Sequence, residues 1–318
     1  MRKIAVAMMI GLMSRDRVYQ AIGQLNARWP FLHSVFVMYP ATKHYQAAYT
    51  PEWVARRCRW TPVWVGIGKQ AQGRWMMIFA IPNLEQEFHD PRHRQQLVKL
   101  NQRMQQIQQY LGVSQCSFAG VLPSAMVAQG VRYDAPEAEV TVMAVVQAVQ
   151  QVCVQQRLST PVALIVLGGA GFIGRRVVAH YRASGHDVAV VDPVGDHTQT
   201  WPHHWQGRQA IVLNLTRKYA LEQYIPWMWR NLVLLNEVYP APRRTELEQL
   251  AKQGCTSYHI VGVHGRAWPS FPASYAGAIP CCAGQPDFAP QVLVRQLAVA
   301  APLSSVTRAT DQANRCLG

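Results

Sequence analysis

A chain of 318 residues with 49% hydrophobic and 15% charged positions can bury more than one core, which excludes a disordered polypeptide. Seven cysteines, an odd number without ligand spacing, argue against a disulfide scaffold and point to reduced, cytoplasmic thiols. The formal net charge of +14 favours an acidic partner, such as a phosphorylated or acyl-carrier-linked substrate.

Met1-Arg2-Lys3 ahead of an apolar run resembles the opening of a signal peptide, but Ser14-Arg15-Asp16-Arg17 stands where a cleavage site belongs. Lys3 to Met9 is therefore read as a first strand. A helix from Asp16 to Arg28 and a strand from His33 to Met38 follow. Thr61 to Gly68 and Arg74 to Ile81 alternate like a hairpin. Asp90-Pro91 is a helix start, with Asp as cap and Pro in the first turn. The helix Arg92 to Leu111 carries Leu97, Leu100, Met104, Ile107 and Leu111 on one face, and Gly112 ends it.

A strand from Ser117 to Leu122, a loop from Pro123 to Pro136 and an apolar helix from Glu137 to Gln156 lead to the joint Ser159-Thr160-Pro161. From there the pattern is βαβ. Strands are expected at Val162 to Leu167, Asp187 to Val191, Gln209 to Asn214, Asn231 to Asn236 and Tyr258 to Val263. Helices are expected at Gly171 to Ala183, Lys218 to Tyr224, Arg243 to Gln253 and Pro286 to Ala301. This predicts an α/β protein: an N-terminal α/β domain over 1–158, then a doubly wound parallel-sheet Rossmann domain over 159–303, with a polar tail over 304–318. No apolar segment approaches the roughly 20 residues that span a bilayer, so a soluble chain is expected.

Gly169-Ala170-Gly171-Phe172-Ile173-Gly174 fits G-x-G-x-x-G between a strand and a helix. Gly169 suits the tight turn, Gly171 the approach of a diphosphate to the backbone, and Gly174 close helix–strand packing. The helix start offers N–H groups and partial positive charge to the phosphates. Asp192, ending the second strand, is placed to accept from ribose hydroxyls and would repel a 2′-phosphate, so NAD is favoured over NADP. Asn214, ending the third strand, completes the cofactor set.

The stretch Gly168 to Gly174 resembles the opening motif of extended short-chain dehydrogenases. That family carries a catalytic Tyr-x-x-x-Lys, and this chain is read as holding no tyrosine with lysine four residues later. Tyr239 and Arg243 have the spacing, but arginine cannot cycle protons near neutrality. A late Rossmann unit behind an α/β domain resembles the two-domain NAD(P)-dependent dehydrogenases. The hairpin ending in Ile81-Pro82, the long helix, Phe118-Ala119-Gly120-Val121 and the helix Glu137 to Gln156 loosely resemble long-chain acyl-acyl-carrier-protein reductases. That resemblance implies a substrate between two domains and a cysteine nucleophile. No cysteine stands near the fourth strand, so Cys281 and Cys282 are the candidates for that role, with packing as the alternative.

Ligands of open α/β sheets bind beyond the C-terminal strand ends. The fourth strand delivers Asn236, Glu237 and Tyr239 there, and the fifth delivers His264 and Arg266. Glu237 suits a general base, His264 a proton shuttle, and Tyr239 a hydrogen bond to a substrate oxygen. Asn236, Arg266 and Tyr275, with Ser124 and Tyr133 from the first domain, are expected to contact substrate. Trp268, Phe271 and Tyr275 lie in a loop long enough to be functional and are expected to wall the site. His203-His204 lacks companion ligands, so no metal is expected. Arg56-Arg57 and Arg243-Arg244 are only pairs, which makes nucleic acid an unexpected partner. A homo-oligomer stays open. The reading is an NAD(P)-dependent oxidoreductase; the alternative is a dinucleotide-binding sensor or assembly protein without turnover.

Overall fold

The computed structural model describes residues 14–71, 73–192, 200–272, 275, 277–284 and 290–297. The expected strand at Lys3 to Met9 and the tail at 304–318 lie outside the described residues. The chain folds as a mixed α/β protein around one large sheet, in the order β4-β1-β3-β2-β9-β8-β7-β5-β6, with β10 and β11 paired to β9.

Helix α1 (Asp16–Arg28) leads into β1 (Leu32–Met38). Two short helices, α2 (Lys43–Tyr49) and α3 (Glu52–Arg57), precede the hairpin of β2 (Val63–Gln70) and β3 (Trp75–Ala80). Helix α4 (Glu85–Phe88) and the long α5 (Arg94–Leu111) return the chain to β4 (Gln115–Phe118), which lies parallel to β1. The apolar stripe on α5 is buried to 0%: Leu97, Leu100, Met104, Ile107 and Leu111 pack with Tyr19, Val35, Val37 and Phe79. Each such side chain contributes about 1.5–3 kcal/mol by leaving water, an upper estimate because the unfolded chain is partly collapsed.

Residues expected as a plain loop contain α6 (Leu122–Ala128). Helix α7 (Pro136–Gln156) then crosses the molecule. It shares one core with Phe36, Met76 and Ile78 of the first half and with Leu164, Val166 and Val177 of the second, which explains its broad apolar surface.

The second half runs β5 (Ala163–Leu167), α8 (Gly174–Ala183), β6 (Val188–Val191), β7 (Ala210–Asn214) and β8 (Val233–Asn236). Helix α9 (Arg244–Lys252) follows, then β9 (Thr256–Trp268), β10 (Ala278–Ile279) and β11 (Val292–Gln296). Strands β6-β5-β7-β8-β9 pair in parallel, and the order reverses between β5 and β7. Alternate residues serve opposite faces: Leu164 and Val166 meet α7 and α8, whereas Ile165 and Leu167 meet Trp201, Tyr224 and Leu250. Both faces are covered, as a parallel sheet requires.

Three expectations are corrected. The fifth strand does not stop at Val263; it continues to Trp268, parallel to β8 over Thr256–His259 and antiparallel to β2 over Gly265–Trp268. The segment expected as a final helix from Pro286 to Ala301 holds the strand β11 instead, because Val292-Leu293-Val294 finds open backbone partners along β9. Around Lys218 to Tyr224, a 3₁₀ stretch at Leu221–Trp227 replaces an α-helix, since Pro226 lacks the N–H an α-helical turn would use.

Candidate active site

The reversal between β5 and β7 opens a crevice at their C-terminal ends, where ligands of such sheets bind. Here it broadens into a cleft of about 1100 Å³ with walls from both halves of the sheet. Its rim on the β5 side is the glycine loop. Gly168 takes the left-handed turn position (φ +78°), and a Cβ there would come within 2.7 Å of the Leu215 carbonyl oxygen. Gly174 is confined harder, because any side chain would collide with the Gly168 carbonyl. Gly169 is buried and Ala170 is exposed; neither lines the cleft, while Gly171, Phe172 and Ile173 do.

Two observations fit this rim to a dinucleotide. The backbone N–H groups of Phe172 and Ile173 have no partner among the described residues, and both residues line the cleft at the start of α8. Asp192 lines the same cleft, and its Oδ2 accepts from the Ala170 N–H at 3.1 Å, which ties the second strand's carboxylate to the loop. Arg176 stays behind the loop, donating to the Phe172 carbonyl at 2.6 Å with its guanidinium over the Phe172 ring.

Asn214 and Asn236 do not reach the cleft. The Asn214 amide donates to Asn236 Oδ1 at 2.7 Å, Thr216 Oγ1 donates to Asn214 Oδ1 at 2.6 Å, and Asn236 Nδ2 donates to the Val238 carbonyl at 2.7 Å. His259 Nδ1 lies 3.0 Å from both the side-chain nitrogen and the carbonyl of Asn236. Burial lowers His259 to about 4, so this network is uncharged at neutral pH. Asn214 and Asn236 position the loops after β7 and β8, while Thr216 and His259 of the same network line the cleft.

Glu237 sits between Asn236 and Val238 and faces the cleft, where burial raises its carboxyl to about 7. Tyr239 also lines the cleft, stacked on Tyr275 with ring centres 4.9 Å apart, and its hydroxyl meets that of Tyr45 on α2 at 3.3 Å. Phe271 packs against Tyr275 at 5.6 Å. Trp268 leaves this wall and is 73% exposed at the end of β9. His264 and Arg266 lie on the prolonged β9, exposed and away from the cleft; the strand carries them past the edge at which an ordinary fifth strand would end.

From the first half, Ser124 lines the cleft with its hydroxyl donating to the Val121 carbonyl at 2.8 Å. Tyr133 stands behind the wall and donates to Glu137 Oε2 at 2.5 Å. Glu137 itself lines the cleft, and burial raises it to about 7 against the opposing hydrogen bond from Tyr133. Sequence reading passed over it, because an acidic residue in a helix's first turn is commonplace. Cys281 and Cys282 also line the cleft. Cys282 accepts from the Gly120 N–H, yet burial and the carboxyls of Glu137 and Glu237 push its thiol up to about 12. Cys281 is likewise raised well above the ordinary thiol range, by burial first and then by Glu237.

A Tyr-x-x-x-Lys does occur ahead of the fingerprint, at Tyr39-Pro40-Ala41-Thr42-Lys43. Tyr39 lines the cleft and accepts from the Val121 N–H at 3.0 Å. It follows β1 while Lys43 opens α2, so the pair does not share one helical face, and Lys43 is exposed outside the cleft. Among the described residues no group of His, Cys, Asp and Glu is arranged to hold a metal, and no helix is long and apolar enough to cross a membrane.

The NAD dependent epimerase/dehydratase family matches residues 164–227, the βαβ unit that carries the glycine loop and Asp192. The match supports a nicotinamide-dinucleotide cofactor. Similar solved structures include D-2-hydroxyisocaproate dehydrogenase, 15% identical over 70% of this chain and 76% of that one, with a TM-score of 0.27. Another is O-succinylbenzoate coenzyme A synthetase from Bacillus subtilis, 10% identical over 76% of this chain and 52% of that one, with a TM-score of 0.28. A third is the TT0316 protein of Thermus thermophilus, 14% identical over 70% of this chain and 88% of that one, with a TM-score of 0.24. At such TM-scores these likenesses say nothing about activity. No curated relative matches the chain.

Proposed function

We propose that this protein is an NAD(P)-dependent oxidoreductase whose substrate lies between the two halves of the sheet. The observation that carries the reading is the shared cleft: Phe172 and Ile173, whose N–H groups have no partner among the described residues, line the same space as Glu237 and Tyr239. Phe172 and Ile173 would hold the diphosphate, and Asp192 the adenosine ribose, which favours NAD over NADP. A bound dinucleotide supplies or accepts a hydride at the substrate carbon.

Glu237, raised to about 7, holds or releases a proton near neutrality. Tyr239 orients the substrate oxygen, and the ring wall of Tyr239, Phe271 and Tyr275 keeps water from the reacting carbon. Ser124 marks where the first half meets the substrate. The apolar wall on that side, including Val54, Val63, Val65, Ile78 and Ile81, suits an acyl or other apolar body. Arg175 and Arg217 in the same cleft suit an acidic carrier or phosphate group, while Lys218 is paired with Glu85 at 3.4 Å.

Fluorescence titration with NADH and NADPH tests the reading. Saturable binding in the micromolar range, tighter for NADH, is expected. Failure of both to bind below about millimolar would leave the fingerprint a structural turn. Binding without turnover of any carbonyl or alcohol would favour the sensor alternative.

A further inference from the structure

We infer that Glu137 is a second acid–base residue of the cleft, holding the proton that a substrate oxygen gains or loses, with Tyr133 as its positioning residue. This rests on the oxidoreductase reading and deepens it.

Glu137 is 2% exposed yet lines the cleft. Its two oxygens are unequal. Oε2 accepts from the Tyr133 hydroxyl at 2.5 Å, whereas Oε1 is buried without a hydrogen-bond partner among the described residues. A buried carboxylate oxygen left unpaired is costly, so the site favours the neutral acid until something reaches Oε1. The titratable groups that face Glu137 are Tyr133 from the approach to α7, Cys116 from β4 and Cys282 from the turn after β10. None carries a positive charge. Tyr133 is itself pushed far above its ordinary range by burial and by Glu137, so it keeps its proton and acts as a fixed donor. Its hydroxyl also lies 3.3 Å from the Cys116 carbonyl, which anchors it to β4.

The chemistry then balances with a reduced nicotinamide as the only co-reactant. A hydride adds to the carbonyl carbon, and the π pair of the C=O bond moves to oxygen. That oxygen takes the Glu137 proton, giving an alcohol and a Glu137 carboxylate that Tyr133 stabilises. Solvent reloads the carboxylate; oxidation runs the same steps backwards. Because no cation among the described residues faces Glu137, the reacting group that fits here is uncharged. Arg175 and Arg217 stand at exposed positions of the cleft and suit any anionic remainder of the substrate.

Infrared spectroscopy of the ligand-free protein gives a readout independent of activity. Near neutral pH it should show a protonated-carboxyl band that Glu137→Gln reduces and Glu237→Gln reduces separately. An unchanged band in Glu137→Gln overturns the proposal. NADH oxidation is followed with straight-chain aldehydes from butanal to decanal. Glu137→Gln should lower kcat about tenfold or more, on the low side for general acid catalysis, with NADH binding unchanged. Tyr133→Phe should retain part of the rate and move its alkaline decline to higher pH, because Tyr133 is what holds Glu137 down. Wild-type kcat and an unmoved pH profile in both variants also overturn it. A wild type that binds NADH but turns over none of these aldehydes, nor the matching alcohols with NAD, overturns the oxidoreductase reading itself and the proposal with it.

Discussion

The side-chain amide of Asn214 donates to that of Asn236 across 2.7 Å, and both residues are buried beneath the cleft floor. Removing one partner strands the other in a dry setting. Asn236→Ala should cost about 1–3 kcal/mol, since Asn214, His259 and the Val238 carbonyl each lose a partner. Thermal denaturation should show a fall in Tm of several degrees. A variant as stable as wild type would mean the network is replaced by water.

Gly174 tests the packing of the rim. Gly174→Ala drives a methyl group into the Gly168 carbonyl, which is backbone and cannot rotate away. A loss of about 1–3 kcal/mol is expected from such overpacking, together with weaker NADH binding. Chemical denaturation and the NADH titration check both halves of the statement.

The proposed preference for NAD rests on Asp192. Its carboxylate is held to the loop by the Ala170 N–H, and on the proposed reading Asp192→Ala removes a ribose acceptor and a repulsive charge together. The ratio of NADPH to NADH dissociation constants should fall towards one. An unchanged ratio would remove the ribose assignment.

The pH dependence of stability separates two opposed groups. Burial raises Glu237 from an ordinary 4.5 to about 7, so its contribution is fully present below 4.5 and is lost as pH rises through 7. Burial lowers His259 from 6.5 to about 4, so its contribution is present above 6.5 and is lost as pH falls through 4. Between 4.5 and 6.5 the two slopes oppose each other, each at most about 1.4 kcal/mol per pH unit. Glu137, raised to about 7 in the same way, adds to the Glu237 slope, so Glu237→Gln should make stability fall less steeply with pH across that window. Urea denaturation at a series of pH values would show it, and an unaltered slope would place Glu237 in solvent.

Cys282 bears on the route to an acyl group. With its thiol held at about 12, little thiolate exists at neutral pH, and iodoacetamide should label it roughly a thousandfold more slowly than an ordinary cysteine. Peptide mapping after timed labelling measures this. Rapid labelling would restore Cys282 as a nucleophile.

The parts of the molecule governed by local spacing were legible before the fold was known. Helix α1 has the expected ends, the stripe on α5 is the buried one, and the glycine loop stands between strand and helix. What escaped depends on distant partners. Glu137 is buried because the Cys282 turn, far along the chain, lies in the same cleft. His264 and Arg266 were placed at a strand end that β2 abolishes by pairing with β9. Tyr39 and Lys43 do have the lysine spacing, against expectation, but the end of β1 and the start of α2 keep them off one helical face.

Strand β9 belongs to both halves, and this bears on how a ligand enters. Two bodies joined by a flexible linker can swing apart, but here a rotation of one half against the other would strain a continuous ladder from β8 through β9 to β2. Such a molecule keeps its cleft at nearly constant width. Traffic then falls to small movements at the mouth, above all the Tyr45–Tyr239 contact, whose opening costs far less than unzipping a sheet.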